Sequence, residues 1–255
     1  MTLNKDRIKK RFARAAATYD NQAVIQLKVA DRLLTLLARH AALPPKKVLE
    51  IGCCTGLLTS QLAEQYSGLT MLYANDLVPA FQQIVANRVA GNVNLDFLEG
   101  DIETVALPVD IDLVISSSTF HWLNDLSSLF SRLAEHMTPE GTLAFAMYSK
   151  NNLWELREIT GIGLHYYGLD ELKRLVSQHF RVLACEEELI TIKFQDPLDI
   201  LHHMRETGVN SIDEALWSRS RLNDFIKKYR DRFADQDLVR LTYHPVYCIA
   251  RKKAE

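Results

Sequence analysis

VLEIGCCTGLLT, residues 48–59, joins a short apolar run to a helical pattern through two glycines, Gly52 and Gly56. In an open α/β sheet, ligands sit outside the carboxyl ends of the strands, where a loop entering a helix presents its backbone N–H groups. A dinucleotide loop wants G-x-G-x-x-G. Here the glycine positions would be 52, 54 and 56, and the middle one holds Cys54, so the spacing turns the reading away from a nicotinamide cofactor. Glycine serves such a loop by taking positive φ or by letting a ligand lie against bare backbone. A residue with a Cβ in the left-handed conformation costs about 1–2 kcal/mol, small against the roughly 8 kcal/mol of micromolar binding. The loop should therefore still bind a ligand, with Cys54 as a tolerated small residue. A redox role for Cys54 lacks a resolving partner nearby.

Outward from this loop the pattern alternates. Helical periodicity fits residues 4–19 and 22–40, and LPP at 43–45 closes the second helix before a strand at 47–51,. Strands are predicted at 70–76, 94–101, 111–117 and 141–149, with helices at 57–66, 78–89 and 126–137 between them. Strands alternating with helices of this length predict an α/β fold with a mostly parallel sheet and helices on both faces. Beyond residue 150 the spacing predicts helices near 153–160 and 169–178, a long strand over 181–194, helices through 197–233 and a last strand over 238–253. The two late strands are expected to pair as a hairpin-like edge.

Acidic residues stand at successive strand ends. Glu50 precedes Gly52, Asp76 ends the second predicted strand, and Asp101 ends the third in EGDIE. A carboxylate at the end of the second strand accepts both hydroxyls of a ribose, and one at the third is within reach of an adenine amino group. Each alone is an ordinary solvated or capping acid; three in order point to a sugar-bearing cofactor.

The set Glu50-x-Gly52-x-Cys54-x-Gly56, Asp76 and Asp101 resembles the class I S-adenosylmethionine-dependent methyltransferases. That resemblance implies a Rossmann-like, seven-stranded sheet with one reversed late strand and S-adenosylmethionine as cofactor, leaving S-adenosylhomocysteine. It places the methionine part on the Glu50–Gly56 loop, the ribose on Asp76 beside Leu77, and the adenine at Asp101 and Ile102, with Ser117 also at the cofactor. One domain spans 1–255. Residues 1–45 are expected to cover the site, 46–150 to form the cofactor core, and 195–235 to be a helical lid.

A narrower resemblance lies outside the loop. IKKRFARAAATYD (8–20), SSSTFHWL (116–123), LHHMRETGVNS (201–211) and LTYHPVYCIAR (241–251) are similar to the malonyl-acyl-carrier-protein O-methyltransferases of biotin synthesis. The departures are His121, where glutamine is expected, and Cys54. The resemblance implies methyl transfer to the free carboxyl of a malonyl thioester on acyl-carrier protein or coenzyme A. A carboxylate is already ionised near pH 7, so orientation and exclusion of water suffice and no general base is needed.

Arg205 is the candidate for gripping the acceptor carboxylate, since a guanidinium matches it bidentately; it is equally a surface arginine. Tyr19 shares a helical face with Ile8, Phe12 and Ala15 and either closes over the cofactor or simply packs. Ser117, Ser118 and His121 follow the fourth strand, and His121 either donates to the substrate or is structural. Trp122 reads as core.

Six cations, Lys5, Arg7, Lys9, Lys10, Arg11 and Arg14, stand against Asp6 and Asp20 in the first twenty residues. Arg7, Arg11 and Arg14 form one stripe, either a solvated face or a dock for the acidic carrier protein. Lys227, Lys228, Arg230 and Arg232 form a second cluster with no assigned role.

A net charge of −2 argues against bulk nucleic-acid binding,. Neither a signal-peptide core nor a run of the roughly 18 apolar residues needed to span a bilayer is present, so a cytoplasmic protein without a membrane partner is expected. Cys53, Cys54, Cys185 and Cys248 lack the spacing of a zinc site or a disulfide framework. The competing readings are a methyltransferase of a small free carboxylic acid, like that acting on trans-aconitate, and a non-catalytic S-adenosylmethionine-binding subunit.

Overall fold

The computed structural model describes residues 3–40, 43–89, 91, 93–208 and 218–253. The chain opens with helices α1 (Lys5–Ala15), α2 (Tyr19–Gln22) and α3 (Val24–His40). Then follow β1 (Lys47–Ile51), α4 (Leu57–Gln65), β2 (Met71–Asp76), α5 (Phe81–Arg88), β3 (Leu95–Glu99), β4 (Ile111–Ser117), α6 (Leu126–His136) and β5 (Met137–Tyr148). The last part is α7 (Trp154–Thr160), α8 (Leu169–Val176), β6 (Phe180–Glu187), β7 (Ile190–Phe194), α9 (Pro197–Glu206), α10 (Arg219–Phe233), β8 (Ala234–Asp235), β9 (Leu238–Tyr243) and β10 (Pro245–Lys252).

Seven strands form the main sheet in the order β3-β2-β1-β4-β5-β10-β6. β1 pairs in parallel with both β2 and β4, and β10 runs antiparallel between β5 and β6. The fold class read from the sequence is the one observed. Central strands are apolar at nearly every position because helices cover both faces; Val48, Leu49, Ile51, Val114, Ile115, Leu143 and Phe145 are all buried. On one face α3 contributes Val29, Leu33 and Leu37, and on the other α6 contributes Leu129, Phe130 and Leu133. Strand order reverses direction between β1 and β4, which opens a crevice at their carboxyl ends.

Three expectations need correction. The helix expected over 4–19 stops at Ala15: Thr18 donates its N–H and hydroxyl to Ala15 O at 2.9 and 3.1 Å, and the chain turns before α2. Tyr19 is therefore the first residue of α2 and is still buried. The strand expected over 181–194 is two strands in different sheets, as is the last one over 238–253. β6 and β10 belong to the main sheet, whereas β7 and β9 pair in a three-stranded sheet with β8. The two halves form one antiparallel ribbon bent at Glu188 and His244. Pro245 has no N–H to continue a ladder, but its carbonyl still accepts from Glu188 N at 3.1 Å, and Tyr247 donates its hydroxyl to Glu188 at 2.7 Å across the corner.

The bend carries α9 and α10 toward the amino-terminal helices. Asp196 caps α9 by accepting from Leu198 N,. Thr18 donates to Glu206 O at 3.1 Å, and a Cβ on Gly208 would meet Phe12 at 3.0 Å, so the end of α9 abuts α1. Three of the four cations in the second basic cluster are occupied by ion pairs: Lys228 with Asp224, Arg230 with Asp196, and Arg232 with Glu158. Among the described residues no helix is long and apolar enough to cross a membrane, and no cluster of His, Cys, Asp or Glu could hold a metal ion.

Candidate active site

A cleft lies at the carboxyl ends of β1 to β4, with α1 along one wall, the place where open α/β sheets bind small molecules. Each strand contributes its exit loop: Gly52 and Cys54 after β1, Asp76 to Val78 at β2, Gly100 to Ile102 after β3, and Ser117 to Thr119 after β4.

The first loop is held in place by its neighbours. Gly52 and Cys53 donate their N–H groups to Asn75 O at 2.8 and 3.0 Å. Asp76 accepts from Cys54 N at 2.9 Å on one carboxylate oxygen and from Val78 N at 2.8 Å on the other. Each oxygen keeps a second lone pair for a ligand hydroxyl. Burial pushes the Asp76 carboxyl up to about 6, against the pull of these backbone donors. Thr55 donates to Asp20 at 2.6 Å and Arg88 pairs with the same carboxylate, so Asp20 ties α2 to the loop and to α5. Sequence reasoning missed Asn75 and Asp20, whose roles depend on contacts distant in the chain.

Both glycines adopt the left-handed conformation, Gly52 at φ +75° and Gly56 at +85°, and so does Cys54 at +49°. Gly52 is additionally pressed against the opposite wall: a Cβ there would stand 2.0 Å from Thr119 Oγ1. A backbone this bare on the floor of a cleft fits a ligand that must lie close to it. Cys54 lines the cleft with its thiol against the buried Tyr19 hydroxyl, and burial pushes both groups' pKa values up. Cys54→Gly relieves about 1 kcal/mol of left-handed strain but frees the unfolded chain by a similar amount. The expected result is a stability change below about 1 kcal/mol in denaturant titrations and S-adenosylhomocysteine affinity within about tenfold of the parent by calorimetry. A hundredfold change would show that the thiol itself is needed.

Asp101 lines the cleft and accepts from Glu103 N at 3.1 Å. Lys5 on α1 reaches Asp101 at 3.3 Å and Glu103 at 2.6 Å, which pins the covering helix to the β3 exit. Lys5 and Glu103 are a further pair the sequence did not reveal. Ile8, Phe12 and Tyr19 complete the α1–α2 wall, with Phe12 edge-on to Trp122 at 5.9 Å.

Not every candidate reaches the cleft. Glu50 is 1% exposed beneath the loop, and burial pushes its carboxyl up to about 8. Gly56 lies at the start of α4, behind the lining. His121 is buried among aromatic rings, 5.0 Å from Tyr148, 5.1 Å from Trp122 and 6.2 Å from Tyr166, and this burial pushes its pKa down to about 3. Arg205 is exposed on α9 and does not stand among the described residues that line the cleft. Residues 209–211 of the motif containing it lie outside the described residues. Trp122, read as core, is buried yet walls the cleft, because the tight turn Phe120–Trp122 carries it to the mouth. Arg7 and Arg14 are exposed on α1 and Arg11 is half-buried.

A methyltransferase-domain family matches residues 49–145, the span that supplies most of this lining. The malonyl-[acyl-carrier protein] O-methyltransferase of Bacteroides thetaiotaomicron is 35% identical over 261 residues, covering 98% of this chain and 99% of that protein. The chain belongs to the malonyl-[acyl-carrier protein] O-methyltransferase family. Among solved structures, a methyltransferase from Bacillus halodurans superposes with a TM-score of 0.64 at 15% identity, over 87% of this chain and 98% of its own. Phosphoethanolamine N-methyltransferase 2 of Haemonchus contortus, solved with S-adenosyl-L-methionine, superposes at 0.53 with 16% identity, over 88% and 52%. Both share the fold.

Within the family frame the two departures have distinct surroundings. Cys54 sits on the cleft floor at a left-handed position, and His121 occupies an aromatic nest one layer behind it.

Proposed function

We propose that this chain transfers a methyl group from S-adenosylmethionine to the free carboxyl of a malonyl thioester on acyl-carrier protein, in the cytoplasm. The observation that carries the reading is a cleft built from four successive strand ends, with Asp76 and Asp101 on its wall, in a near full-length relative of that family. When bound, S-adenosylmethionine supplies a methyl carbon activated by its sulfonium; as the O–CH3 bond forms the S–CH3 bond breaks, sulfur keeps the electron pair and no proton moves.

The chain's own residues bind, orient and exclude water. The Glu50–Gly56 loop offers backbone to the methionine part, with Gly52 and Cys54 on the surface and Glu50 and Gly56 shaping the loop from behind. Asp76 beside Leu77 takes the ribose, and Asp101 with Ile102 takes the adenine. Ser117 and Ser118 stand where cofactor and acceptor meet. Ser118 is held at φ +59° by its N–H bond to Ala146 O at 2.8 Å. Tyr19, Ile8 and Phe12 close the cleft, and α9 backs them as the outer part of the cover. Such orientation is worth roughly 7–11 kcal/mol of the barrier.

The stripe Arg7, Arg11 and Arg14 lies on the helix that forms one wall of the cleft, suited to an acidic carrier. Reversing Arg7 and Arg14 to Glu is expected to raise the KM for malonyl-acyl-carrier protein at least about tenfold, while malonyl-coenzyme A turnover stays within about twofold. Equal loss on both substrates would remove docking from this helix.

A further inference from the structure

Three buried side-chain polar atoms in the turn 117–122 have no hydrogen-bond partner among the described residues: Ser117 Oγ, His121 Nδ1 and Trp122 Nε1. Leaving a buried polar group unpaired is costly, so three within six residues mark a wall suited to a ligand. Ser117 and Trp122 face the cleft. Ser118 also lines the cleft and donates to the hydroxyl of the buried Tyr148 behind it at 3.3 Å, which leaves the tyrosine proton free to donate onward. Tyr166 is similar: its hydroxyl accepts from Asn152 at 3.0 Å and retains its proton.

Ser117 and Tyr148 end β4 and β5, and Trp122 follows in the turn beyond β4. All are neutral. The cations among the described lining residues are Lys5 and Lys9, both on α1, and Lys5 is engaged by Asp101 and Glu103. Arg205 is exposed and outside the lining.

We propose that the acceptor's carboxylate is held by neutral donors, Ser117 Oγ, Trp122 Nε1 and the Tyr148 hydroxyl, and not by a cation, with His121 as a positioning residue behind Trp122 and Tyr148. The inference rests on the carboxylate-acceptor reading above. Its logic is differential binding. The carboxylate loses its negative charge as its oxygen takes the methyl group, so a contacting guanidinium would stabilise the starting anion more than the transition state. Neutral donors still fix the oxygen in line, since hydrogen bonds to a charged group are stronger than those between neutral groups, and a dry aromatic surround favours a step that cancels charge. His121 fits the same scheme: its burial keeps the imidazole uncharged across the working pH range.

The test titrates malonyl-pantetheine into the protein saturated with S-adenosylhomocysteine, by calorimetry, alongside KM for malonyl-acyl-carrier protein. Trp122→Phe and Tyr148→Phe each remove one donor and keep the ring; Ser117→Ala is the third variant should either aromatic change impair folding. Each is expected to weaken malonyl-pantetheine at least tenfold, while S-adenosylhomocysteine affinity stays within twofold in Trp122→Phe and Tyr148→Phe. His121→Gln should restore most of the affinity that His121→Ala loses. Wild-type methylation of malonyl-acyl-carrier protein with unaltered binding in all donor variants overturns the inference alone. A tenfold loss in Lys9→Gln or Arg205→Gln without loss in the donor variants does the same. Absence of both binding and methylation in the wild type overturns the inference together with the acceptor reading.

Discussion

Gly52→Ala is expected to lower S-adenosylhomocysteine affinity at least about a hundredfold, some 2.7 kcal/mol, and to destabilise the fold by about 2–4 kcal/mol. Two causes add. The residue sits at φ +75°, and its new methyl would stand 2.0 to 2.7 Å from the Oγ1, Cγ2 and Cβ atoms of Thr119. The far end of a flexible chain could swing away, but Thr119 is β-branched and its Cβ is itself in the way. The loop must then shift, pulling at the Gly52 and Cys53 N–H bonds to Asn75 O and at the Cys54 N–H bond to Asp76. Gly68→Ala is the control, because nothing lies within 4 Å of its Cβ. Calorimetric titration with S-adenosylhomocysteine and urea unfolding of both variants check this; normal binding by the Gly52 variant would remove the loop from the cofactor site.

Stability of the ligand-free protein should fall as pH rises from about 6.5 to 8, and Glu50→Gln should flatten that fall; below about 6.5 the buried, uncharged His121, its pKa pushed down to about 3, pulls the other way because only the unfolded imidazole takes up a proton,. Burial raises the Glu50 carboxyl from an ordinary 4.5 to about 8, and Asp76 from 3.8 to about 6. The folded state then holds protons that the unfolded chain has released. Stability is complete below the unfolded values and is lost as pH climbs through the folded ones, by up to about 1.4 kcal/mol per pH unit for each group. Asp76 contributes between about pH 4 and 6, and Glu50 alone between about 6 and 8. A glutamine cannot ionise, so at pH 8 Glu50→Gln should be about 2 kcal/mol or more stabler than the parent, and within about 1 kcal/mol of it at pH 5. Urea unfolding across the pH range reads both. Parallel pH curves for the two proteins would show that Glu50 is ionised in its buried position.

How far the sequence was legible differs by element. β1 and β4 were bounded to the residue, because short β-branched and leucine runs, interrupted only by Glu50 and Asp112 and closed by the Gly52 loop and by the serines after Ile115, read as central strands,. The glycine spacing left two reasons open for a glycine at position 54, a positive φ or a ligand against bare backbone, and the φ of +49° at Cys54 shows that the first applies. The bend of the late ribbon did not follow: pairing continues across Glu188 and His244, so the apolar alternation gives no sign of a change of sheet, although Pro245 was an available signal. Trp122 is buried as expected, but periodicity tells only that a large ring is buried, not that it also walls the cleft. The links Lys5–Glu103 and Thr55–Asp20 span 98 and 35 residues of chain, a separation over which no local pattern reports. Arg205 shows the limit of residue chemistry: a guanidinium suits a carboxylate, but chemistry alone does not say that α9 leaves it exposed.

The measurement closest to the central claim is mass spectrometry of malonyl-acyl-carrier protein after incubation with this protein and S-adenosylmethionine. A gain of about 14 Da, one hydrogen replaced by methyl, that needs both protein and cofactor is the result expected, since an ionised carboxyl needs no base to accept the group. An unshifted carrier, with S-adenosylhomocysteine still bound in calorimetry, would leave the cofactor cleft standing and contradict the acceptor.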